Sequence, residues 1–297
     1  MERKVNDKKS ILMFISSMLI FGTIGIFRRY IPLASAFLAF SRGLLGGLFL
    51  LVFSRLFKKS SAEKLPLHLF LRLIFTGVLM GINWILLFEA FNYTTVSKAT
   101  LCYYMQPTIV ILLSPFIFKE ALTRKKALCA ATAIIGMVLV SGVMEEKGTW
   151  SGDARGILLG LGAAAFYAAV VIMNKKIQGV DAYRKTTIQL LSAGLAMIPY
   201  LLLTDGFAGT GVSMAVIFLL FFVGIVHTGI AYVLYFGSMD GLRVQSIALL
   251  SYIDPVSALF FSALFLAERL TLPGLIGAVL IIGSAIISEI QPQAENS

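Results

Sequence analysis

Two stretches of the chain share one skeleton, and this duplication decides the fold. Residues 101–123 read LCYYMQPTIVILLSPFIFKEALT, and residues 249–271 read LLSYIDPVSALFFSALFLAERLT, at an offset of 148 residues. Over the wider windows 88–123 and 236–271, nine of 36 ungapped positions are identical. The shared features are Tyr-x-x-Pro, a serine seven residues after the proline, and Glu-x-Leu-Thr. Apolar composition alone rarely places such residues in register, so the chain contains an internal repeat.

The sequence around this repeat has the composition of a membrane protein. Of its 297 residues, 58% are hydrophobic and 13% are charged, and the mean hydropathy is +0.90. A helix of roughly 20 apolar residues crosses a bilayer core about 30 Å thick and satisfies its own backbone groups. The apolar runs are too long and too uniform for barrel strands. They predict ten transmembrane helices, at residues 11–27, 34–53, 69–91, 95–118, 127–144, 156–173, 186–203, 212–237, 244–267 and 272–290.

Each half of the chain holds five of these predicted spans. We expect one repeat over residues 1–146, a second over residues 153–290, and a short cytoplasmic tail at residues 291–297. Because five is an odd number, the second half must enter the membrane in the opposite orientation. The predicted fold class is therefore an all-α integral membrane protein of ten transmembrane helices in two inverted-topology five-helix repeats.

The basic residues predict the orientation in the membrane. With the N-terminus inside, the inner joints between spans hold 17 Lys and Arg residues and the outer joints hold six. By the positive-inside rule both termini are then cytoplasmic, in a multi-pass protein of the cytoplasmic or inner membrane. The net charge of +10 is divided among these joints and forms no continuous patch for nucleic acid. The expected partners are the lipid bilayer and a small-molecule substrate; a monomer is favoured and a homodimer is left open.

Polar residues at membrane depth are the candidate functional groups, because each is costly to insert. Asp254 directly precedes Pro255, and Ser251 lies on the same helical face. Gln106, before Pro107, occupies the equivalent place in the first half, and Pro107 and Pro255 are expected to break their helices. A proton-coupled carrier needs a carboxylate that can gain and lose a proton, and Asp254 is placed for that role. The alternative is that Asp254 and Gln106 only satisfy backbone groups freed by the prolines.

Other residues are assigned by their position along the predicted spans. Arg42 is central in the second span, where it forms a buried ion pair or meets an anionic substrate. Glu120 and Glu268 precede helix starts at 123 and 271 and are expected to cap those helices. His227 either binds substrate or protons, or is a hydrogen-bonded packing residue. Further polar or amphipathic candidates for a mostly apolar pocket are Asn83, Trp84, Tyr103, Tyr167 and Tyr235.

The repeat resembles the EamA-type branch of the drug/metabolite transporter superfamily. The resemblance covers roughly residues 11–290 and is most specific at 104–107, 119–123, 252–255 and 267–271. Arg42, in an Ala-Phe-Ser-Arg context, resembles the second-helix arginine of that family, whereas the second half has Gln189 or Leu190 there. The resemblance implies a central cavity lined by helices 1, 3, 4, 6, 8 and 9, which supports Asn83, Trp84, Tyr167 and His227 as lining residues.

These features predict a secondary transporter that moves small metabolites by alternating access. The resemblance implies amino acids or related compounds as substrates and export as the direction, with proton coupling as one way of driving it. An intramembrane enzyme or a membrane receptor is the alternative. The sequence has no H-E-x-x-H, G-x-S-x-G or Walker A motif, and its joints are short. We therefore expect no enzymatic activity, no cofactor and no metal site, since Cys102 and Cys129 lack metal-ligand spacing.

Overall fold

The computed structural model describes residues 7–57, 65–94, 96–140, 154–204, 213–266 and 271–289, and every regular element in these ranges is helical. One segment, Val223–Ile230, is π-helical, and a 3₁₀ turn spans Met239–Gly241. The helices are α1 Lys8–Gly22, α2 Ile24–Arg29, α3 Ser35–Phe57, α4 Leu67–Ala90, α5 Val96–Tyr103, α6 Gln106–Phe118, α7 Arg124–Val140, α8 Ala154–Lys176, α9 Ala182–Ala196, α10 Ile198–Leu203, α11 Met214–Phe222, α12 Ala231–Ser238, α13 Val244–Ser251, α14 Ile253–Leu266 and α15 Leu272–Glu289.

Eight helical segments in the described ranges are long and apolar enough to cross a membrane. They correspond to the predicted spans 1 to 4 and 6 to 9. The tenth predicted span appears as a shorter apolar helix, Leu272–Ile287 within α15. The fifth corresponds to α7, and the end of its predicted range at 144 lies outside the described residues. The chain is thus an all-helical, multi-pass membrane protein with eight segments of spanning length in the described part.

Several predicted spans are broken: the sequence indicated breaks at Pro107 and Pro255 in the fourth and ninth spans, but none in the first. The first breaks at Thr23, where the side-chain hydroxyl donates to the carbonyl of Ile20 at 2.7 Å. The fourth and ninth break between α5 and α6 and between α13 and α14. Pro107 and Pro255 lie in the first turn of the helix after each break, where their missing N–H group costs no intrahelical hydrogen bond. The two prolines therefore begin new helical segments near the middle of their spans.

The helices of the two halves pack on each other in a paired pattern. α7 packs against α15, and α3 packs against α9. α4 contacts α8 and α9, just as α12 contacts α1 and the π-helical segment contacts α3. α6 contacts α8, and α14 correspondingly contacts α1. When each span of the first half is exchanged for its counterpart in the second half, every contact in this set becomes either itself or another contact of the set.

Glycines allow several of these close approaches, including the one between α3 and α9. A Cβ atom on Gly47 of α3 would lie 2.8 Å from the Leu191 side chain, and one on Gly194 of α9 would lie 2.9 Å from Leu44. Real Cβ contacts are rarely so short, so α3 and α9 reach this distance only because small residues line their interface. The Gly43 and Gly47 pair thus mediates packing within the chain.

Candidate functional site

The breaks in the fourth and ninth spans meet at Asp254. Among the described residues at the central ends of α5, α6, α13 and α14, Asp254 is the only carboxylate. Asp254 lies in the first turn of α14, where the N-terminal end of the helix dipole favours a negative charge. Its Oδ2 atom accepts a hydrogen bond of 3.2 Å from the hydroxyl of Tyr104, at the break between α5 and α6. One side chain from each half of the chain therefore forms this contact.

A stack of tyrosine rings extends from this contact. The rings of Tyr103 and Tyr167 are stacked at 5.8 Å between centroids, with an interplanar angle of 19°. Tyr167 continues the stack to Tyr235, at 6.4 Å and 14°. Tyr232 meets Tyr235 edge to face at 6.3 Å. The structure thus brings the predicted residues Tyr103, Tyr167 and Tyr235 together and adds Tyr232.

The partial exposure of these groups indicates an internal space between them. Asp254, Tyr103, Tyr104 and Tyr167 each retain intermediate exposure, yet all four lie deep within the helix bundle. A side chain enclosed by other helices keeps such exposure only when it faces a cavity that water can reach. Asp254 Oδ1 has no hydrogen-bond partner within the described part of the chain. The site therefore offers a carboxylate oxygen to a small molecule in an aromatic chamber.

The equivalent break in the first half is closed and neutral. Gln106 is buried, and its Nε2 atom has no partner among the residues with described positions. Tyr252, the counterpart of Tyr104, is 1% exposed and shares a hydrogen bond of 2.9 Å with the Thr108 hydroxyl. Ser251, which we predicted on the Asp254 face, is also buried and donates to the carbonyl of Ile247 at 2.7 Å. Gln106 and Ser251 thus belong to the packed wall of the chamber.

Asn83 and Trp84 have different environments although they are adjacent in α4. Asn83 is fully buried, and its Nδ2 atom donates to the carbonyl of Ala163 at 2.6 Å, joining α4 to α8. The Trp84 ring lies against the Arg42 guanidinium, with its centroid 5.6 Å from Arg42 Cζ.

One expectation for Arg42 was a buried ion pair. The described ranges do not contain this pair, since no carboxylate in them lies within 4.0 Å of the guanidinium.

His227 is placed beside the tyrosine stack instead of within it. It lies in the π-helical segment, which shifts the helical register and separates it from the face of Tyr235. Its Nε2 atom lies 2.8 Å from the Thr23 hydroxyl, and the imidazole tautomer determines which of the two groups donates. The His227 ring contacts those of Phe27 and Phe222 at 4.8 and 5.7 Å. His227 lines an apolar side cavity of about 440 Å³.

Glu120 caps a helix, but a different one from the helix that the sequence indicated. Its carboxylate accepts from the backbone amides of Val244 at 3.0 Å and Gln245 at 3.3 Å, at the start of α13. Thr123, by its side-chain oxygen, accepts from the Lys126 amide at the start of α7, where Glu120 was expected. Spatial proximity of the two halves makes the remote amides available. The second predicted cap, Glu268, lies outside the described residues.

A charged network lies at the same end of the bundle as this cap. The Lys175 ammonium donates to the carbonyl of Met239, at 2.7 Å, which begins the 3₁₀ turn, and to that of Leu242, which follows it. Buried Lys185 lies 3.9 Å from Asp240 in that turn. A cavity of about 420 Å³ is lined there by Lys185, Asp240 and Asp7 among others. Joints that the positive-inside rule assigned to the cytoplasm therefore lie together.

Sequence reasoning missed three contributors to the chamber. Tyr104 was identified only as part of the repeat. Its hydrogen-bond partner, Asp254, lies 150 positions later in the chain. Tyr232 was missed although it lies three residues before Tyr235, a spacing that puts both on one face of α12, and the structure buries both. Thr228 was missed because its contact with Arg42, at 3.1 Å, crosses from α3 to the π-helical segment. The spacing of the Tyr-x-x-Pro motif was the available signal for Tyr104.

Comparison with known proteins identifies the family. Residues 8–142 and 154–289 match the EamA-like transporter family. The uncharacterized transporter YxxF of Bacillus subtilis (strain 168) is 28% identical over 96% of this chain and 91% of its own length. A protein of Salmonella typhimurium named a probable amino-acid metabolite efflux pump is 30% identical over 64% of this chain and 66% of its own. A crystal structure with 19% sequence identity has a TM-score of 0.82 and covers 96% of this chain and 97% of that one, which shows a shared fold.

Proposed function

The chain belongs to the EamA-like transporter family, and from this premise we propose that it is a secondary carrier that exports amino acids or related metabolites by alternating access. The observation that carries the proposal is the chamber at the two central breaks, where Asp254 and Tyr104 meet beside stacked tyrosines. A cavity with mostly apolar walls and a few converging polar groups is typical of small-molecule sites. The similarity to a probable amino-acid metabolite efflux pump supports this substrate class.

Ten spans in two inverted repeats give this site its mechanism. The repeats extend over residues 1–146 and 153–290, with a cytoplasmic tail at 291–297. The paired packing of α7 with α15 and of α3 with α9 supports this arrangement, because two related halves predict such self-matching contacts. Rocking of one half against the other would expose the chamber to each side of the cell membrane in turn.

Both termini lie in the cytoplasm in this proposal. The inner joints carry most of the lysines and arginines. The proximity of Asp7 to Asp181 and Lys185 around one cavity supports a common side for the N-terminus and the joint before α9.

Asp254 carries the proton that drives transport. A carboxylate with one oxygen bonded to Tyr104 and the other facing the chamber can exchange a proton with water and also meet a bound substrate. Binding of a proton and of a cationic substrate group at the same oxygen would be mutually exclusive. This competition couples export of the substrate to entry of a proton.

Reconstitution of the purified protein into liposomes tests the carrier function. An acid-inside pH gradient should drive uptake of at least one radiolabelled amino acid in exchange for protons, and collapse of the gradient with an ionophore should abolish accumulation. Protein-free liposomes provide the control. Uptake equal to that control for all twenty amino acids, under either gradient direction, is inconsistent with the proposed function.

Cysteine labelling tests the topology separately. In a background of Cys102→Ala and Cys129→Ala, single cysteines would replace Lys147, in an outer joint, and Lys176, an exposed residue at the end of α8. An impermeant thiol reagent applied to intact cells should label the first and not the second. Labelling of both positions from outside would exclude the inverted arrangement.

A further inference from the structure

Within the described ranges, Arg42 is a charge at membrane depth whose guanidinium is hydrogen-bonded at one edge only. Its Nε atom donates to the Thr228 hydroxyl at 3.1 Å. Thr228 in turn donates to the carbonyl of Val223 at 3.2 Å, a bond across five residues that belongs to the π-helical segment. The Trp84 ring supports the guanidinium from one face. These three contacts fix the position of the side chain.

The opposite edge of the guanidinium has no protein acceptor within the described ranges. Arginine carries five N–H donors in a planar fork, and only the Nε donor is used here. Arg42 also retains intermediate exposure. An arginine that served only to join helices would have a carboxylate or carbonyl partner at this depth, because an unpaired charge is costly there. The unused donors are therefore available to a ligand.

Arg42 lies close enough to the chamber to act on the groups that line it. The Arg42 charge interacts electrostatically with the Asp254 carboxylate and with the hydroxyl groups of Tyr103 and Tyr232. Arg42 and Asp254 nevertheless form no direct ion pair. The chamber thus presents one positive and one negative pole, separated by a space with aromatic walls.

We propose that Arg42 binds the carboxylate of a zwitterionic substrate, whose cationic group lies toward Asp254 and the tyrosine stack. This inference rests on the carrier function proposed above. A guanidinium edge binds a planar carboxylate through two parallel N–H···O bonds. The cationic group of the substrate neutralises Asp254 and contacts ring faces that attract cations. A zwitterion leaves both poles paired, whereas a phosphate dianion or a simple amine would leave a charge unmatched.

Ligand stabilisation of the purified protein tests the assignment without any mutation. The probes are the twenty L-amino acids and their α-carboxamides, which keep the side chain and amino group but lack the carboxylate. We expect the best-binding amino acid to bind about tenfold to a hundredfold more tightly than its carboxamide, the usual loss for hydrogen bonds to a charged group. Equal stabilisation by acid and carboxamide, or none by any free amino acid, overturns the proposal.

Variants then assign the discrimination to Arg42. Arg42→Gln should bring the ratio of acid to carboxamide affinity close to one, and Arg42→Lys should restore part of it, because lysine keeps the charge but not the paired donors. Arg72→Gln, at an exposed position of α4, is the matched control and should keep the ratio of the unmodified protein. Full discrimination in Arg42→Gln overturns the proposal. Proton-driven uptake of compounds without a carboxylate would leave the carrier function intact while excluding this substrate class.

Discussion

The breaks at the centre of the fourth and ninth spans follow one plan and have opposite characters. In the ninth span, Asp254 faces the chamber and accepts from Tyr104. In the fourth, the equivalent Gln106 is buried, and the equivalent tyrosine, Tyr252, bonds to Thr108. The backbone arrangement is shared, but only one break holds a charge.

The second span shows the reverse asymmetry. Arg42 of the first half lines the chamber, whereas Gln189 and Leu190 at the equivalent place in the second half are buried, with Gln189 bonded to Asn174 at 3.0 Å. Each half therefore supplies one charge that the other lacks. A duplicated fold provides two related frameworks, and a single asymmetric site forms where their side chains have diverged. The following predictions test this difference between the halves.

Removal of the charge from the ninth-span break should have the largest effect. Asp254→Asn keeps the shape of the side chain but cannot exchange a proton. We expect uptake driven by a pH gradient in proteoliposomes to fall by about a hundredfold, as when a general acid or base is lost. The matched control is Gln106→Asn at the equivalent buried position, which should keep its dependence on the gradient. Gradient-dependent uptake by Asp254→Asn would refute the coupling role.

The next largest effect on uptake should come from Tyr104, and it should exceed the effect of the equivalent Tyr252. Tyr104→Phe removes a hydrogen bond to a charged group, so we expect kcat/KM for uptake to fall about tenfold. Tyr252→Phe removes a hydroxyl that faces only the packed wall, and its initial rates should stay within about twofold. Similar losses in both variants would show that the two breaks contribute alike.

The two breaks should rank in the opposite order when stability is measured instead of uptake. Thr108→Val leaves the buried Tyr252 hydroxyl without a partner, which should lower the free energy of unfolding by about 1 kcal/mol. Tyr104→Phe should change it less, because water in the chamber can reach the groups left behind. Thermal melting in detergent, followed by intrinsic fluorescence, measures the difference. A larger loss in Tyr104→Phe than in Thr108→Val would contradict a packed role for the Tyr252 contact.

The smallest effect concerns the helix that leads into the charged break. Glu120→Gln removes the negative charge at the N-terminus of α13 but keeps an oxygen that can accept a hydrogen bond. We expect a loss of about 0.5 kcal/mol, in keeping with a partly exposed charge near a helix end. Thermal melts at low and high salt provide the measurement. Because salt screens this interaction, the difference from the unmodified protein should shrink at high salt.

Much of the fold could be predicted from the sequence because it depends on local properties. Apolar runs of spanning length identified the eight long segments, and the offset between the halves indicated that Asp254 and Gln106 are equivalent. The interruptions at Thr23 and in the π-helical segment were not predicted, since helix propensity and hydropathy vary little across them. They depend on contacts between helices that a single span does not contain.

The sequence by itself therefore determined a membrane-spanning helical protein with a duplicated core and identified most residues of the tyrosine stack. The tertiary structure decided which of them meet. It paired Tyr104 with Asp254, attached Glu120 to α13 instead of α7 and placed His227 beside a side cavity. Among the described residues, it also gave the outer edge of the Arg42 guanidinium no acceptor. The physical reason is that hydrophobicity is a property of each segment, whereas hydrogen bonds and charge pairing depend on which remote segments pack together.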